Sequence, residues 1–388
     1  MTSSNVTSYR SLIILSFSLI IVSLVENVQF NSLIEGATGT KIPVYMISTR
    51  GNLNYEGIIG QGYGSYSLLN ISNVLESCPP EVAIFVHGWG IDENKAKERL
   101  DRVKISLEYN KYNTSLIGFS WNSNIDWDHV KSMATENGPR LAQFILDLKN
   151  KCIVTDVRLI GHSLGARVIL SSLASLHNNS LSSGSTFKIA SVHLLGAAVD
   201  DEEVSKNPQD ILRDPTNENT VKSAYGEVIE REVIKFYNLY NTEDNVLQPL
   251  PFYEEISFYP INLFYQIYPI FENDKALGQH GKQQGIDEVT RPPYYDIDSR
   301  NQIATIGDAD ASPDQHLLFC RYGSSDLCEV TIEDYDFGLC IGYVFSYTCN
   351  ANVGDNHMGY IGFRNSTNPL LLANDGVMDV VVTEWRNH

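Results

Sequence analysis

The chain has 388 residues, of which 43% are apolar, and it carries a formal net charge of −19. This length and this apolar content predict a folded globular protein with an ample core and exclude a largely disordered chain. The acidic charge argues against a nucleic-acid partner and against electrostatic binding to an anionic membrane surface.

The N-terminal region contains an uncharged apolar run, residues 11–25, which directly follows Arg10. This run is short for a membrane-spanning helix and has the length of a signal-peptide core. We therefore predict that residues 1–30 are a signal peptide or, since no small-residue cleavage motif follows, an uncleaved N-terminal anchor. A buried core helix is disfavoured because the run is apolar on every face. Either form of export places the body of the chain outside the cytoplasm.

The central part of the chain alternates between strand-like and helix-like segments. Short continuous apolar runs are typical of buried parallel strands, and apolar residues recur at helical spacing in the longer segments between them. This alternation predicts an α/β fold with a mostly parallel central sheet and helices on both faces. We expect a single domain over residues 31–388 with its core at 80–247. The predicted strands are 82–86, 115–119, 157–160, 189–195 and 233–239, and the predicted helices are 92–108, 128–149 and one that follows Gly165.

Two later segments break the alternation. Residues 248–290 are rich in Pro, Phe and Tyr and predict a lid-like segment over a site, although a loop packed on the core has the same composition. Residues 307–354 are first Asp-rich and then Cys-rich, which indicates an insertion near the C-terminus.

The six cysteines fit an oxidising compartment. Four of them lie close together in the C-terminal insertion, where local disulfides with three connectivities are conceivable. No Cys-x-x-Cys pair occurs, so a zinc site is not expected. The four are Cys320, Cys328, Cys340 and Cys349, whereas Cys78 and Cys152 stand apart.

The segment Gly161-His-Ser-Leu-Gly165 lies between an apolar strand and an amphipathic helix. A Gly-x-Ser-x-Gly motif in this context is typical of a nucleophile elbow, a sharp turn that holds a serine in a strained conformation. We predict that Ser163 is a catalytic nucleophile with an exposed hydroxyl. The alternative is an ordinary connection between a strand and a helix.

A nucleophilic serine needs a base to accept its proton and an acid to orient that base. Both are expected just after strands, because chemistry in a parallel sheet lies at the carboxyl ends of the strands. Asp244 follows the strand that ends at Leu239 and is the favoured acid. Asp200 also follows a strand and is the main alternative, and Glu243 and Asp201 are weaker candidates.

The base must follow Asp244 if the chain order is serine, acid, histidine. His357 lies in Gly354-Asp-Asn-His-Met-Gly-Tyr360, a turn-like segment, and is the favoured base. His316 has a similar setting and is the main alternative, ahead of His280.

An oxyanion hole needs two backbone N–H groups that point at the developing negative charge. Leu164, directly after the nucleophile, supplies one. The loop Val86-His-Gly-Trp-Gly90 follows an early strand, and its two glycines allow the backbone to turn inward, so Trp89 is the predicted second donor. A plain turn is the alternative for this loop.

Taken together, these motifs resemble those of the α/β-hydrolase superfamily of serine esterases and lipases. His87-Gly-Trp-Gly90 and Gly161-His-Ser-Leu-Gly-Ala166 are similar to the oxyanion and nucleophile motifs of the pancreatic-lipase-like branch. The resemblance covers roughly residues 80–250 and implies the α/β-hydrolase fold, Ser163 as nucleophile, and Trp89 and Leu164 as oxyanion donors.

The resemblance departs from the lipase branch at the acid. That branch has Gly-Leu-Asp-Pro after the strand that follows the nucleophile helix, whereas this chain has Leu195-Gly-Ala-Ala-Val-Asp200. The wider superfamily often places its acid one strand later, which is where Asp244 lies. Gly118-Phe-Ser-Trp-Asn122 and Leu194-Leu-Gly-Ala-Ala198 are also similar to a group of microbial α/β hydrolases, which supports the fold but indicates no substrate.

The sequence therefore predicts an exported serine hydrolase that cleaves carboxylic esters, lipid esters among them, through an acyl-enzyme. The reaction requires no metal and no organic cofactor, and a membrane is involved only through the N-terminal anchor. An amidase or peptidase on the same fold is one alternative, and a non-catalytic exported binding module is another.

Overall fold

The computed structural model describes residues 42–50, 67–69, 78–125, 127–152, 155–184, 187–212, 223–242, 244, 246–247, 275–303, 319–320, 340–343, 346–349, 355–364, 372–374 and 376–387. The described residues from Ile42 onward form one compact unit. The predicted signal peptide or anchor at 1–30 lies outside the described residues, as do 248–274 of the lid-like segment and most of the insertion at 307–354.

An eight-stranded sheet forms the centre of the fold. Its strands lie in the order β2-β1-β4-β3-β5-β6-β7-β8, and all neighbours are parallel except β2, which pairs antiparallel with β1. This confirms the predicted mostly parallel α/β sheet. The strands are β1 Val44–Ser48, β2 Ser67–Leu69, β3 Glu81–Val86, β4 Ser115–Ser120, β5 Asp156–His162, β6 Ile189–Leu195, β7 Val233–Tyr240 and β8 Tyr294–Asp298.

Besides this sheet, the described residues form eight α-helices of different lengths. The first begins after Asp92, whose side chain accepts a hydrogen bond from the Lys95 N–H at 2.9 Å and so caps the helix. Among the described residues, no helix is long and apolar enough to cross a membrane. The helices are α1 Glu93–Tyr109, α2 Trp127–Lys151, α3 Gly165–Ser183, α4 Pro208–Leu212, α5 Gly226–Glu232, α6 Leu277–His280, α7 Asp355–Met358 and α8 Met378–Arg386, with a 3-10 turn at Gly359–Ile361.

The two faces of the sheet bury separate apolar cores. Along β3, Val82, Ile84 and Val86 belong to one core, whereas Ala83 and Phe85 belong to the other, as the alternation of side chains along a strand requires. The first core includes residues of α2, α3 and α5, and the second includes residues of α1 and α8. Helices therefore cover both faces, which is the prediction made from the continuous apolar strands.

The strand order changes direction at β3, and this positions the site. The chain passes from β3 through α1 to β4 on one side, and then through α2 to β5 on the other side of β3. Ligands of open α/β sheets bind beyond the carboxyl ends of the strands at such a switch point. Val86 and Gly161 are register partners in β3 and β5, so the segments that begin with His87 and His162 leave the sheet side by side.

Cys78 and Cys152 are joined by a disulfide across 74 residues of sequence. Both cysteines lie apart from the C-terminal cluster, as the sequence shows, but they stand alone only in sequence, and no pairing was predicted for them. Cys78 precedes β3 and Cys152 precedes β5, and these two strands begin side by side, with Glu81 and Asp156 as register partners. The pairing therefore depends on the strand order, which the spacing of the cysteines does not reveal.

Two small antiparallel sheets lie outside the main one. One has the order β10-β11-β9, and in it Cys340 and Cys349 are backbone partners. The other pairs β12 with β13. Their strands are β9 Phe319–Cys320, β10 Cys340–Tyr343, β11 Ser346–Cys349, β12 Phe363–Arg364 and β13 Leu372–Asn374.

Candidate active site

Ser163 occupies the sharp turn between β5 and α3. Its φ of +54° lies in the left-handed region that non-glycine residues rarely adopt. Surrounding backbone bonds hold it there: the Ser163 N–H donates to the Leu195 carbonyl at 3.0 Å, and the Ser163 carbonyl accepts from the N–H of Ala198 at 3.1 Å. Strain of this kind persists only where the surrounding structure determines it, and it concentrates at functional sites.

The end of β3 and the loop after it lie close against this turn, because Gly165 and Gly88 have no side chains. A Cβ atom at Gly165 would overlap the Val86 carbonyl, and one at Gly88 would lie 2.6 Å from the Ser163 Cβ. This packing leaves Ser163 only 8% exposed. The hydroxyl is therefore less open than the motif alone predicts, because the loop after β3 covers one side of the elbow.

His357 and Asp244 form a buried pair although 113 residues separate them. The distance from His357 Nδ1 to Asp244 Oδ2 is 2.7 Å, and both side chains are almost fully enclosed. The other carboxylate oxygen of Asp244 accepts the N–H groups of Val246 and Leu247 at 3.0 and 3.2 Å. These backbone bonds fix the carboxylate, and the carboxylate in turn fixes the ring of His357.

His162 connects this pair to the elbow. Its Nε2 lies 2.8 Å from the His357 carbonyl oxygen, so Nε2 carries a hydrogen and donates it. The two imidazole rings are 4.9 Å apart between centroids. Burial, followed by the nearness of His357, places the pKa of His162 well below its ordinary value, so this ring stays neutral. The residue next to Ser163 thus contacts the backbone of His357.

Tyr360 supports the other side of His357. Its ring meets the His357 ring edge-on at 6.4 Å, and its hydroxyl donates to the Gly278 carbonyl at 3.2 Å. The ring also lies against Gly196, whose φ of +54° and lack of a side chain leave room for it. His357 and Tyr360 belong to α7 and the adjoining 3-10 turn, where the sequence predicts a turn-like loop.

The loop after β3 is held by the loop after β4. The Trp89 indole N–H donates to the Ile125 carbonyl at 2.6 Å, and the Gly90 N–H donates to the Ser123 carbonyl at 2.9 Å. Leu164 is fully buried at the start of α3. The two predicted oxyanion donors therefore belong to adjoining segments, one beyond β3 and one beyond β5.

One known protein family matches the part of the chain that carries these motifs. The family described as "Alpha/beta hydrolase of unknown function (DUF900)" matches residues 69–246, a little less than half of the chain. The eight-stranded sheet, its two helical faces and the elbow agree with that description. The chain has the α/β-hydrolase fold.

Solved structures with some likeness to this chain share little sequence with it. A proposed cell surface hydrolase from Lactobacillus plantarum WCFS1 is 14% identical, with 42% of this chain and 69% of that chain covered and a TM-score of 0.27. A lipase-esterase related protein from Clostridium acetobutylicum ATCC 824 is 16% identical, with 42% and 75% covered and a TM-score of 0.25. An esterase from Pyrobaculum calidifontis is 11% identical, with 40% and 48% covered and a TM-score of 0.21. No curated protein matches the sequence.

The alternative site residues occupy other places in the α/β-hydrolase fold or lie outside the described ranges. Asp200 faces Arg167, with 3.8 Å between the carboxylate and the guanidinium, and Arg167 also makes a bidentate pair with Glu203 at 2.6 and 3.1 Å. Burial raises the pKa of Glu203 to about 7. Asp201 is also buried, and His280 is exposed in α6. His316 and Glu243 lie outside the described residues.

Two buried imidazoles around the elbow were not among the predicted site residues. His162 contacts His357 as described above, and His87 lies in the loop after β3. Both residues belong to the motifs that located the site, but their partners are distant in sequence. The two motifs show that these histidines are present, but they do not indicate which residues the histidines contact.

Proposed function

We propose that this protein is a serine hydrolase that cleaves carboxylic esters through an acyl-enzyme, with Ser163 as nucleophile, His357 as base and Asp244 as the acid that orients it. The observation that carries the proposal is the buried His357–Asp244 pair at 2.7 Å, which His162 links to the strained Ser163. A pair of this kind beside a strained serine is what general-base activation of a weak nucleophile requires.

The proton positions support this assignment of roles. Asp244 can only accept in its ionised form, so the His357 Nδ1 donates to it and the neutral ring keeps its lone pair on Nε2. In the proposed first step, Nε2 takes the Ser163 proton while the Ser163 Oγ forms a bond to the substrate carbonyl carbon and the π electrons of the carbonyl move to its oxygen. When the carbonyl re-forms, the bond from its carbon to the alkoxy oxygen breaks and the acyl group stays on Ser163. The imidazolium then gives that proton to the departing alcohol. Water, activated by the same ring, releases the acid and restores the serine.

The charge that develops on the carbonyl oxygen needs donors held in place beforehand. We assign this role to the backbone N–H groups of Trp89 and Leu164, which follow the adjacent strands β3 and β5. The contact between Gly88 and Ser163 supports the assignment, because it brings the two segments together at the nucleophile. The proposed chemistry needs no metal and no organic cofactor.

A fluorophosphonate probe tests the proposal directly, since it reacts with an activated serine. We expect stoichiometric labelling of the full chain, located on the peptide that contains Ser163 and abolished in Ser163→Ala. The variant must keep the circular dichroism spectrum and thermal unfolding of the wild type. A folded wild-type protein that is not labelled would indicate the alternative, a non-catalytic binding module.

Matched substrates then distinguish an esterase from an amidase or peptidase. A p-nitrophenyl ester and a p-nitroanilide with the same acyl group present the same carbonyl carbon with different leaving groups. We expect hydrolysis of the ester and little of the anilide. A preference for the anilide at equal acyl group would contradict the ester proposal and leave Ser163 as the nucleophile of an amidase. A series of acyl lengths tests whether the substrates include lipid-like esters.

We also propose that the protein is secreted or anchored with its catalytic domain outside the cytoplasm. The Cys78–Cys152 disulfide supports this, because such bonds persist in oxidising compartments. N-terminal sequencing of the protein from its native host would distinguish a cleaved signal from a retained anchor. Recovery of reduced Cys78 and Cys152 from intact cells would count against export.

A further inference from the structure

The imidazole of His87 receives two donors at the same nitrogen. The backbone N–H of Trp121 and a guanidinium nitrogen of Arg50 both lie 3.2 Å from Nε2. Neither of these groups can accept a hydrogen bond, so Nε2 must present its lone pair. The ring hydrogen of neutral His87 therefore lies on Nδ1.

Several features keep the ring neutral and oriented. The His87 ring stacks on Trp121 with 5.7 Å between centroids and an interplanar angle of 7°. Burial, and after it the charge of Arg50, lowers the pKa of His87 to about 3. The Trp121 indole N–H also donates to the His87 carbonyl at 2.8 Å, which holds the backbone of the same residue.

The Nδ1 hydrogen has an acceptor in the next residue. Nδ1 lies 3.0 Å from the Gly88 carbonyl oxygen, so His87 donates to the peptide that joins Gly88 to Trp89. The carbonyl and the N–H of a trans peptide point in opposite directions. Fixing the Gly88 carbonyl toward His87 therefore turns the Trp89 N–H to the opposite side.

We propose that His87 is a positioning residue whose Nδ1–H sets the orientation of the Trp89 N–H toward the carbonyl oxygen of the substrate at Ser163. The inference rests on the proposed serine-hydrolase function and extends it to a residue that does not touch the substrate. Gly88 connects His87 to the nucleophile. It packs against Ser163, and its carbonyl oxygen accepts the hydrogen bond from His87 Nδ1.

The rest of the loop is held by hydrogen bonds that do not involve His87 Nδ1. The Trp89 indole bonds to Ile125, and the backbone N–H groups of Gly90 and Ile91 bond to Ser123. Loss of the Nδ1 donor should therefore free one peptide plane and leave the loop as a whole in place. Such a change affects a rate more than it affects folding or substrate binding.

Two conservative variants separate the two nitrogens of the ring. An asparagine amide can occupy the place of Nδ1, and a glutamine amide the place of Nε2. We expect His87→Asn to keep kcat for the ester within about threefold of the wild type, because a donor remains beside the Gly88 carbonyl. We expect His87→Gln to lose about 10- to 100-fold in kcat, since loss of one oxyanion donor costs up to about 10³-fold. KM should change by about twofold or less in both variants.

Equal losses in the two variants, in proportion to a fall in their melting temperature, would overturn the proposal in favour of a purely structural role. So would a His87→Gln variant as active as the wild type. Failure of the wild type to react with fluorophosphonate overturns the proposed function and this inference together. Normal labelling at Ser163 with the wrong order of the two variants overturns the inference alone.

The tautomer can be measured without any activity assay, provided that the variant used to identify the signals keeps the wild-type fold. In wild-type protein with ¹⁵N-labelled histidine, the His87 signals should report a hydrogen on Nδ1 and none on Nε2, unchanged between about pH 5 and pH 8. The His87→Asn spectrum identifies the signals by their disappearance. A hydrogen on Nε2 would overturn the proposal whatever the kinetics show.

Discussion

The contact between Gly88 and Ser163 makes a quantitative prediction for Gly88→Ala. The added methyl group would lie 2.6 Å from the Ser163 Cβ and 3.1 Å from its Oγ, whereas ordinary contact begins at 3.4 Å. The loop and the elbow must therefore separate by about 0.8 Å, and a misplacement of about 1 Å can cost about 10²-fold in rate. We expect the rate constant for fluorophosphonate labelling to fall by about 10- to 100-fold. Overpacking should also lower the free energy of unfolding by about 1–3 kcal/mol.

A matched control separates the loss of reactivity from the loss of stability. Gly184 ends α3 with a φ of +70° and has open space where a Cβ would lie. Gly184→Ala should cost about 1 kcal/mol of stability through backbone strain alone and leave the labelling rate unchanged. Thermal unfolding and timed labelling of both variants give the comparison. If Gly88→Ala reacts as fast as Gly184→Ala, the loop after β3 does not constrain the nucleophile and the argument is refuted.

Three further predictions test other parts of the structure. Asp244→Asn should lower kcat by about 10³- to 10⁴-fold, because His357 loses its orienting carboxylate. Asp200→Asn should reduce stability and change kcat by about threefold at most. A larger loss of kcat in Asp200→Asn than in Asp244→Asn would make Asp200 the acid. Replacing Cys78 and Cys152 by serine should lower the free energy of unfolding by about 2–4 kcal/mol in denaturant titrations, and an unchanged midpoint would show that the bond does not form in the native protein. Acidification should destabilise the fold between about pH 6.5 and pH 3. Burial, and after it the charge of Arg158, lowers the pKa of His193 to about 3. In this pH range the unfolded chain therefore binds a proton that the native His193 ring does not bind, which favours unfolding. His193→Asn should make the loss of stability between about pH 6 and pH 4 shallower, and an unaltered slope would contradict the assignment.

The central fold could be predicted because its strands carry their own signal. A parallel strand that is covered on both faces carries an almost continuous apolar run, as Val82–Val86 in β3 does. The edge strand β8 was missed because its sequence, Tyr-Tyr-Asp-Ile-Asp, is only partly buried and has no such run. A continuous apolar run therefore does not identify a strand that is only partly buried.

The site was predictable where residue type and chain order restrict the choice. Asp244 was selected because it follows a strand, and His357 because it lies in a turn-like segment later in the chain; the structure brings the His357 Nδ1 within 2.7 Å of the Asp244 Oδ2. The contacts of His87 and His162 were out of reach, because their partners are defined by three-dimensional packing. The same holds for the limited exposure of Ser163, which depends on a loop from another strand.

Helix α8 has a consequence for the order of events during synthesis. Its Val381, Val382 and Trp385 close the second core, and the Trp385 indole N–H reaches His193 in β6 at 3.3 Å. A nascent chain that stops short of this helix leaves apolar surface of α1 and the central strands open to water, a state that recruits chaperones or aggregates. His357 is also translated late. Products that terminate before α8 should therefore be prone to aggregation, because this apolar surface stays uncovered.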